Sequence, residues 1–381
     1  MDLDLLDNTL AKLGEPGFRA RQVWAWTARG ATGYEQMTDL PASLRETLAA
    51  EVPFASLSLQ HEARSLDGTV KALFATADGR PLEAVLMRYR DGRRSICLSS
   101  QSGCPLTCRF CATGQMKFAR NLRASEILEQ ALHLARVESP RGGHRTRAAA
   151  EAGVRAERGG GLTNCVFMGM GEPMLNLDAV LAACERLPDL GISHRHTTIS
   201  TVGWIPGIER LAESGMPVRL ALSLHAADEA LRSELMPVNE RYPLSDVLEA
   251  CRAFYARRKR RVFVEYVMLA GVNDRYEQAL ALAQALRARN AGRPSIFKVN
   301  LIPYNPAPDT VEDREEDRFR GSSREAIAVF QRTLAERDVP STVRLTRGRD
   351  IAAACGQLAA TGTSGARAPR LRGSQPPSAK V

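Results

Sequence analysis

Apolar and polar positions fall into three regimes along the chain. Up to about residue 50 the apolar positions recur at helical spacing. Phe18-Arg-Ala-Arg-Gln-Val-Trp-Ala-Trp26 is amphipathic with basic residues on its polar side, and Asp7-Asn8-Thr9 is the candidate cap of the first helix. Residues 52–90 alternate as strands do, and Asp67-Gly68 and Asp78-Gly79 mark hairpin turns. From Ser95 onward, short apolar strands alternate with helices. The pattern predicts strands at Ser95–Ser99, Asn164–Met168, Thr197–Thr201, Val218–Leu224, Val262–Leu269, Ile296–Ile302 and Thr342–Leu345. Helices are predicted at Ala124–Val137, Leu177–Leu187, Ile208–Ser214, Leu244–Ala256, Glu277–Ala291 and Arg324–Glu336. Repeated β–α alternation predicts a parallel sheet with right-handed crossovers. The expected fold class is α/β, a full or partial (β/α) barrel with its chemistry at the C-terminal ends of the strands. A doubly wound open sheet has the same periodicity and stays the alternative.

Composition narrows the setting. No apolar run approaches the roughly 18 residues that span a bilayer, and the acidic start Met1-Asp-Leu-Asp has no basic leader. A cytoplasmic protein with no membrane partner is expected. The formal charge of +9 favours a polyanionic partner, because neutralised phosphates release counterions, although a generally arginine-rich proteome would do the same. Ser139–Gly161 reads as an arginine-rich insertion, Pro306–Ser323 as an irregular stretch and Thr361–Val381 as a disordered basic tail. The expected division is residues 1–90 as an accessory RNA-binding region, 91–358 as the core barrel, and 359–381 as the tail. Arg257-Arg-Lys-Arg-Arg261 is a dense positive run at a helix end, as compatible with a solvated terminus as with an RNA contact.

Eight cysteines in 381 residues do not make a disulfide scaffold. Three are clustered, in Gly103-Cys104-Pro-Leu-Thr-Cys108-Arg-Phe-Cys111-Ala-Thr-Gly114. An iron–sulfur cluster needs thiolates brought together by short spacings in a loop, and three of them leave one iron open to another ligand. Zinc is the rival, but a structural zinc site needs a fourth ligand that no nearby motif supplies. Further signals stand at the predicted strand ends. Phe167-Met-Gly-Met-Gly171-Glu172-Pro173 combines glycines that admit a close ligand with an acceptor for an ammonium. Ser200-Thr-Val-Gly203 and Ser223-Leu224-His225 offer hydroxyl and imidazole groups, and Asn305 offers an amide to an adenine edge. Taken singly, each is equally a cap, a turn or a core residue.

The spacing Cys-x₃-Cys-x₂-Cys, with Phe110 before the last cysteine, resembles the radical S-adenosylmethionine (SAM) superfamily. Further segments resemble its RlmN branch of dual-specificity ribosomal and transfer RNA adenine-C2 methyltransferases. They are Phe18–Gln22, Leu82–Met87, Cys97–Cys104, Arg120–Leu122, Met168–Pro173, Leu235–Asn239 and Ala354–Leu358. The resemblance implies a radical SAM-type partial barrel with a small N-terminal accessory domain of helices and strands. Its implied cofactors are a [4Fe–4S] cluster on Cys104, Cys108 and Cys111, and SAM bound by Gly171, Glu172, Ser200, Ser223, Leu224, His225 and Asn305. It implies three catalytic residues. Cys355 would carry the methyl group, Cys97 would release product through a transient disulfide with Cys355, and Glu83 would take the C2 proton. Implied partners are 23S rRNA, tRNA and a flavodoxin- or ferredoxin-type electron donor, with the enzyme monomeric. Lys117 stands where the family has a small residue, a departure beside the cluster loop. Two other readings stay open, the related Cfr branch that methylates adenine C8 and a radical SAM enzyme that methylates nothing. Cys97 together with Cys355 argues against the second.

Overall fold

The computed structural model describes residues 1–139, 161–289, 295–306 and 319–360. The arginine-rich insertion, the body of the irregular stretch and the basic tail lie outside them.

Ten strands form one sheet in the order β1 (Leu57–Arg64), β2 (Val70–Thr76), β3 (Pro81–Arg88), β4 (Arg94–Cys97), β7 (Asn164–Phe167), β8 (Thr197–Thr201), β9 (Arg219–Ser223), β10 (Val262–Met268), β11 (Phe297–Pro303) and β12 (Ser341–Val343). A separate two-stranded pair, β5 (Gln101–Ser102) and β6 (Arg120–Asn121), brackets the cysteine loop. From β4 to β12 every pairing in the large sheet is parallel. Its strand order never reverses. A doubly wound sheet must reverse at its switch point, so this winding is that of a barrel. No pairing among the described residues joins β12 back to β1. The barrel is therefore partial, as expected.

Six helices supply the crossovers: Ala124–Glu138, Leu177–Arg186, Ile205–Glu213, Leu244–Arg258, Tyr276–Arg287 and Arg324–Ala335. Each matches a predicted helix, with ends displaced by a few residues. A seventh, Glu229–Leu235, had no clear periodic signal at seven residues; Asp228 caps it by accepting from Leu231 N. The first helix is Leu3–Lys12 and its cap is Asp2, whose side chain accepts from Leu5 N. Asp7–Thr9 lie inside that helix, because the Asp2 cap starts it five residues earlier than Asp7.

Both predicted hairpins form, with Gly68 and Gly79 in the left-handed region, and Asp91-Gly92 adds a third. These antiparallel strands continue the barrel sheet without a break at residue 90. The N-terminal helices instead pack around a small core of their own that includes Leu6, Val23, Met37 and Leu48. Polar ties dock this layer on the barrel. The buried terminal ammonium of Met1 lies 2.9 Å from Glu129, and Trp24 Nε1 donates to Asp189 at 2.7 Å. No described helix is long and apolar enough to cross a membrane.

Candidate active site

All the strand-end motifs converge on one rim, the C-terminal end of the parallel sheet. The β5–β6 pair holds the ends of the cysteine loop together. Gln101 Nε2 donates to Asn121 Oδ1 at 2.7 Å, and its Oε1 accepts from Glu172 N at 2.8 Å. Arg120 lies between Asp78 and Glu126, with contacts of 2.7 and 2.8 Å. Behind the loop, the buried Gln130 accepts from Ser99 N and donates to Ser99 O. The loop is thus braced by buried amides, a rigid base for ligands. The Lys117 side chain is exposed; its backbone carbonyl closes on Gly103, which has φ +72 and no room for a Cβ.

Cys104, Cys108 and Cys111 line one cavity of about 960 Å³ including its mouth, together with Gly171, Glu172, Ser200, Ser223, His225, Arg344 and Cys355. Burial pushes the Cys104 thiol up to about 12, and burial followed by the neighbouring thiols holds Cys108 well above the ordinary thiol range. Thiols held this way lose their protons on binding a metal. Among the described residues, no three His, Cys, Asp or Glu side chains converge as they would on a single ion. Thiolates that each bind a different iron of a cluster need no such convergence.

The other expected cofactor residues divide. Gly171 has φ +98, and a Cβ there would lie 2.5 Å from Gln101 Cβ, so only glycine fits. Glu172 is buried and accepts from Met174 N at 3.1 Å and Val202 N at 3.0 Å. Burial outweighs these bonds and pushes it up to about 7. Ser200 Oγ and Ser223 Oγ are 3.3 Å apart on neighbouring strands. The His225 ring packs edge-on against Phe110 and its Nδ1 accepts from Val267 N at 3.0 Å, which leaves the proton on Nε2. Burial, then the Arg232 cation, hold His225 down at about 3, so it stays neutral. Leu224 is fully buried and does not line the cavity; its carbonyl accepts from Arg232 Nε. Asn305 lines a second cavity, and no described residue donates to its buried Oδ1. An orphaned buried acceptor is costly unless a ligand supplies the missing donor.

That second cavity is lined by both Cys97 and Cys355, with Arg344, Tyr89 and Met168. Both cysteines are free thiols; Cys355 is exposed and Cys97 buried. Burial, then the nearness of Cys355, push Cys97 up to about 12. The Cys355 segment is tied to the cluster loop. Ala112 N donates to Gly356 O at 2.8 Å, and Thr113 Oγ1 donates to Leu358 O at 2.6 Å. Glu83 lines neither cavity. It is 1% exposed, ion-paired with Lys71 at 2.9 Å, and accepts from Ala359 N and Ala360 N.

Lys71, Arg344, Glu265, Gln101 and Arg232 escaped the sequence reading. Arg232 is wholly buried and donates to the carbonyls of Leu224 and Val202 and to Asn239 Oδ1, which gives the Leu235–Asn239 motif a structural role. Lys71 had a signal: a lysine inside the apolar run Val70-Lys-Ala-Leu-Phe74 needs a partner.

Residues 98–283 match the Radical SAM superfamily, and residues 1–53 match the Ribosomal RNA large subunit methyltransferase N-terminal domain. The crystal structure of a radical SAM methyltransferase from Sphaerobacter thermophilus superposes with a TM-score of 0.81 at 42% identity, covering 95% of this chain and 98% of that one. The "Dual-specificity RNA methyltransferase RlmN" of Anaeromyxobacter sp. is 44% identical across 96% of this chain and 91% of its own. The "Probable dual-specificity RNA methyltransferase RlmN" of Chloroflexus aurantiacus is 46% identical across 94% and 91%. The chain belongs to the RlmN family of radical SAM proteins. That family implies a [4Fe–4S] cluster and SAM. In this RlmN-family chain the three thiols of one braced loop, the glycine-lined wall at Gly171 and the Asn305 Oδ1, to which no described residue donates, fit them.

Proposed function

We propose that this RlmN-family chain methylates C2 of an adenine in ribosomal and transfer RNA, with Cys355 as methyl carrier. One observation carries the reading: Cys355 borders both cavities, one shared with the cluster cysteines and the other with Cys97. A carrier must meet its methyl source at one station and its release partner at another.

When bound, the cluster and SAM supply one-electron chemistry that activates carbon, which the electron-poor, inert C2–H of adenine requires. Cys104, Cys108 and Cys111 hold the cluster and leave one iron open. Glu172 receives the SAM ammonium, Gly171 lets the backbone approach it, Ser200, Ser223 and His225 bind its polar edges, and Asn305 accepts from its adenine. Leu224, bonded through its backbone to Arg232 and Glu265, fixes the turn that carries Ser223 and His225. Glu83 takes the C2 proton. In release, Cys97 gives up its thiol proton and its sulfur attacks the Cys355 sulfur; an S–S bond forms, the S–CH₂ bond breaks with its electron pair going to carbon, and that carbon takes a proton to become the methyl group. The target base must leave its stack to reach the cavity.

Within residues 1–90 the N-terminal helices form the RNA-gripping layer, while strands β1–β3 of that region join residues 91–358 in the catalytic sheet. Trp26 with Arg29 stacked 4.7 Å above it, and the exposed Phe18 with Arg19 at 4.9 Å, are surfaces suited to nucleotides. A flavodoxin- or ferredoxin-type protein supplies the electrons to a cytoplasmic monomer. Mass spectrometry of rRNA and tRNA, from cells with and without the gene, tests the reading. It expects 2-methyladenine only with the gene. 8-Methyladenine in its place would move the chain to the Cfr-like reading, and unmodified RNA would overturn both.

A further inference from the structure

Lys71 and Glu83 are diagonal neighbours on one face of the β2–β3 hairpin, where Lys71 lies opposite Val85 and Leu73 opposite Glu83. Their side chains are 5% and 1% exposed, with Nζ 2.9 Å from Oε1. A buried ion pair gains little over its desolvation cost unless its remaining donors and acceptors are also used. Here they are used on one short segment. Lys71 Nζ donates to Ala352 O at 3.3 Å, and Glu83 Oε2 accepts from Ala359 N at 3.1 Å and Ala360 N at 3.2 Å. Ala352 and Ala360, at the two gripped ends, both hold φ +51, a conformation an alanine keeps only when its surroundings enforce it. Cys355 lies between them.

We propose that the Lys71–Glu83 pair is a clasp on both ends of the Cys355 segment, and that Lys71 is a positioning residue that sets the Cys355 sulfur against the cysteine loop. The inference rests on the reading of Cys355 as methyl carrier. The clasp grips the segment from the hairpin side, while Ala112 N and Thr113 Oγ1 hold it from the cluster-loop side. With both in place the thiol faces the cavity of Cys104, Cys108 and Cys111. The clasp also orders the reaction. A Glu83 carboxylate held by Lys71 and two amides is not available to a substrate carbon. It can take the C2 proton only after Ala359 and Ala360 let go, and on taking it becomes a neutral acid that no longer attracts Lys71. Loading of the thiol and proton removal from C2 by Glu83 therefore belong to two different positions of one segment.

Hydrogen–deuterium exchange on the full chain, reconstituted anaerobically and free of RNA, reads the clasp directly. Lys71→Met is expected to speed exchange at Ala359 and Ala360 at least about tenfold, the loss of hydrogen bonds to a charged group, with β7–β11 unchanged. Lys71→Arg restores most of the protection. If Lys71→Met, which leaves Glu83 buried alone, does not fold, the double variant Lys71→Met/Glu83→Leu buries no lone charge and gives the same reading. The positioning role has a second readout. After incubation with SAM and reductant, methyl on the Cys355 peptide per iron bound falls at least about tenfold in Lys71→Met and recovers in Lys71→Arg, the loss expected when its site is no longer held. Unchanged exchange at residues 359–360, acceleration spread over the whole sheet, or undiminished methyl loading would each overturn the proposal. Failure of the carrier reading looks different: the wild-type chain itself would hold no methyl on Cys355, while the exchange comparison would still report on the clasp.

Discussion

A carboxyl group with no cation beside it is costly to charge away from water, and among the described residues Glu172 is in that position. Its ordinary range is near 4.5, and burial moves it to about 7. Below about 7 it is a neutral acid with little hold on an ammonium; above about 7 it is an anion. SAM affinity is therefore expected to be full at pH 8 and to fall toward about tenfold per unit as pH drops well below 7. Glu172→Gln should be weak and flat over the same range. Anaerobic calorimetry of the reconstituted protein checks this, and a pH-independent wild type would refute the role. At this scale the sequence was informative where chemistry is local. Thiols gathered by spacings of a few residues are readable from the chain, and Cys104, Cys108 and Cys111 do line one cavity. The surroundings of Glu83 were not, because its partners Ala359 and Ala360 lie 276 and 277 residues away in sequence.

At the scale of the element, the site depends on turns that leave each strand at a defined angle. Gly171 is the tightest test. A methyl group there meets Gln101 at 2.5 Å, in a backbone conformation that disfavours side chains. Gly171→Ala should cost about 1–3 kcal/mol of stability, the usual range for enforced strain, and should weaken SAM binding. A thermal unfolding scan and a binding isotherm measure both. An unchanged melting temperature would show that the loop yields at no cost. The long helices and the strands after Ser95 were legible because their apolar periods run over many residues. Glu229–Leu235 and β5–β6 were not, since seven residues and two residues are too short to display a period. The first helix cap was misread for another reason: several polar residues compete near a helix start, and only geometry selects Asp2.

For the whole molecule, strand order decides what periodicity left open. A sheet wound in one direction from β4 to β12 curves its strand ends round one rim, and with them the cysteine loop and the four further strand-end motifs. The N-terminal helices have a separate core yet dock through the Met1–Glu129 pair and Trp24, so this layer is held in place relative to the cavity. With a formal charge of +9, RNA binding by this chain should be strongly electrostatic. Affinity for a tRNA substrate is expected to fall by about tenfold or more between 50 and 200 mM salt. Filter binding across that range measures the slope, and a flat response would remove the basic surface from the account. The same scale holds the central claim, because Cys355 reaches the cluster loop only when the two ends of the chain are folded together. The most direct test is Cys355→Ala, reconstituted anaerobically and given SAM, reductant and RNA. The account predicts that the variant still cleaves SAM and leaves the RNA unmethylated. RNA methylated at the wild-type rate would contradict it.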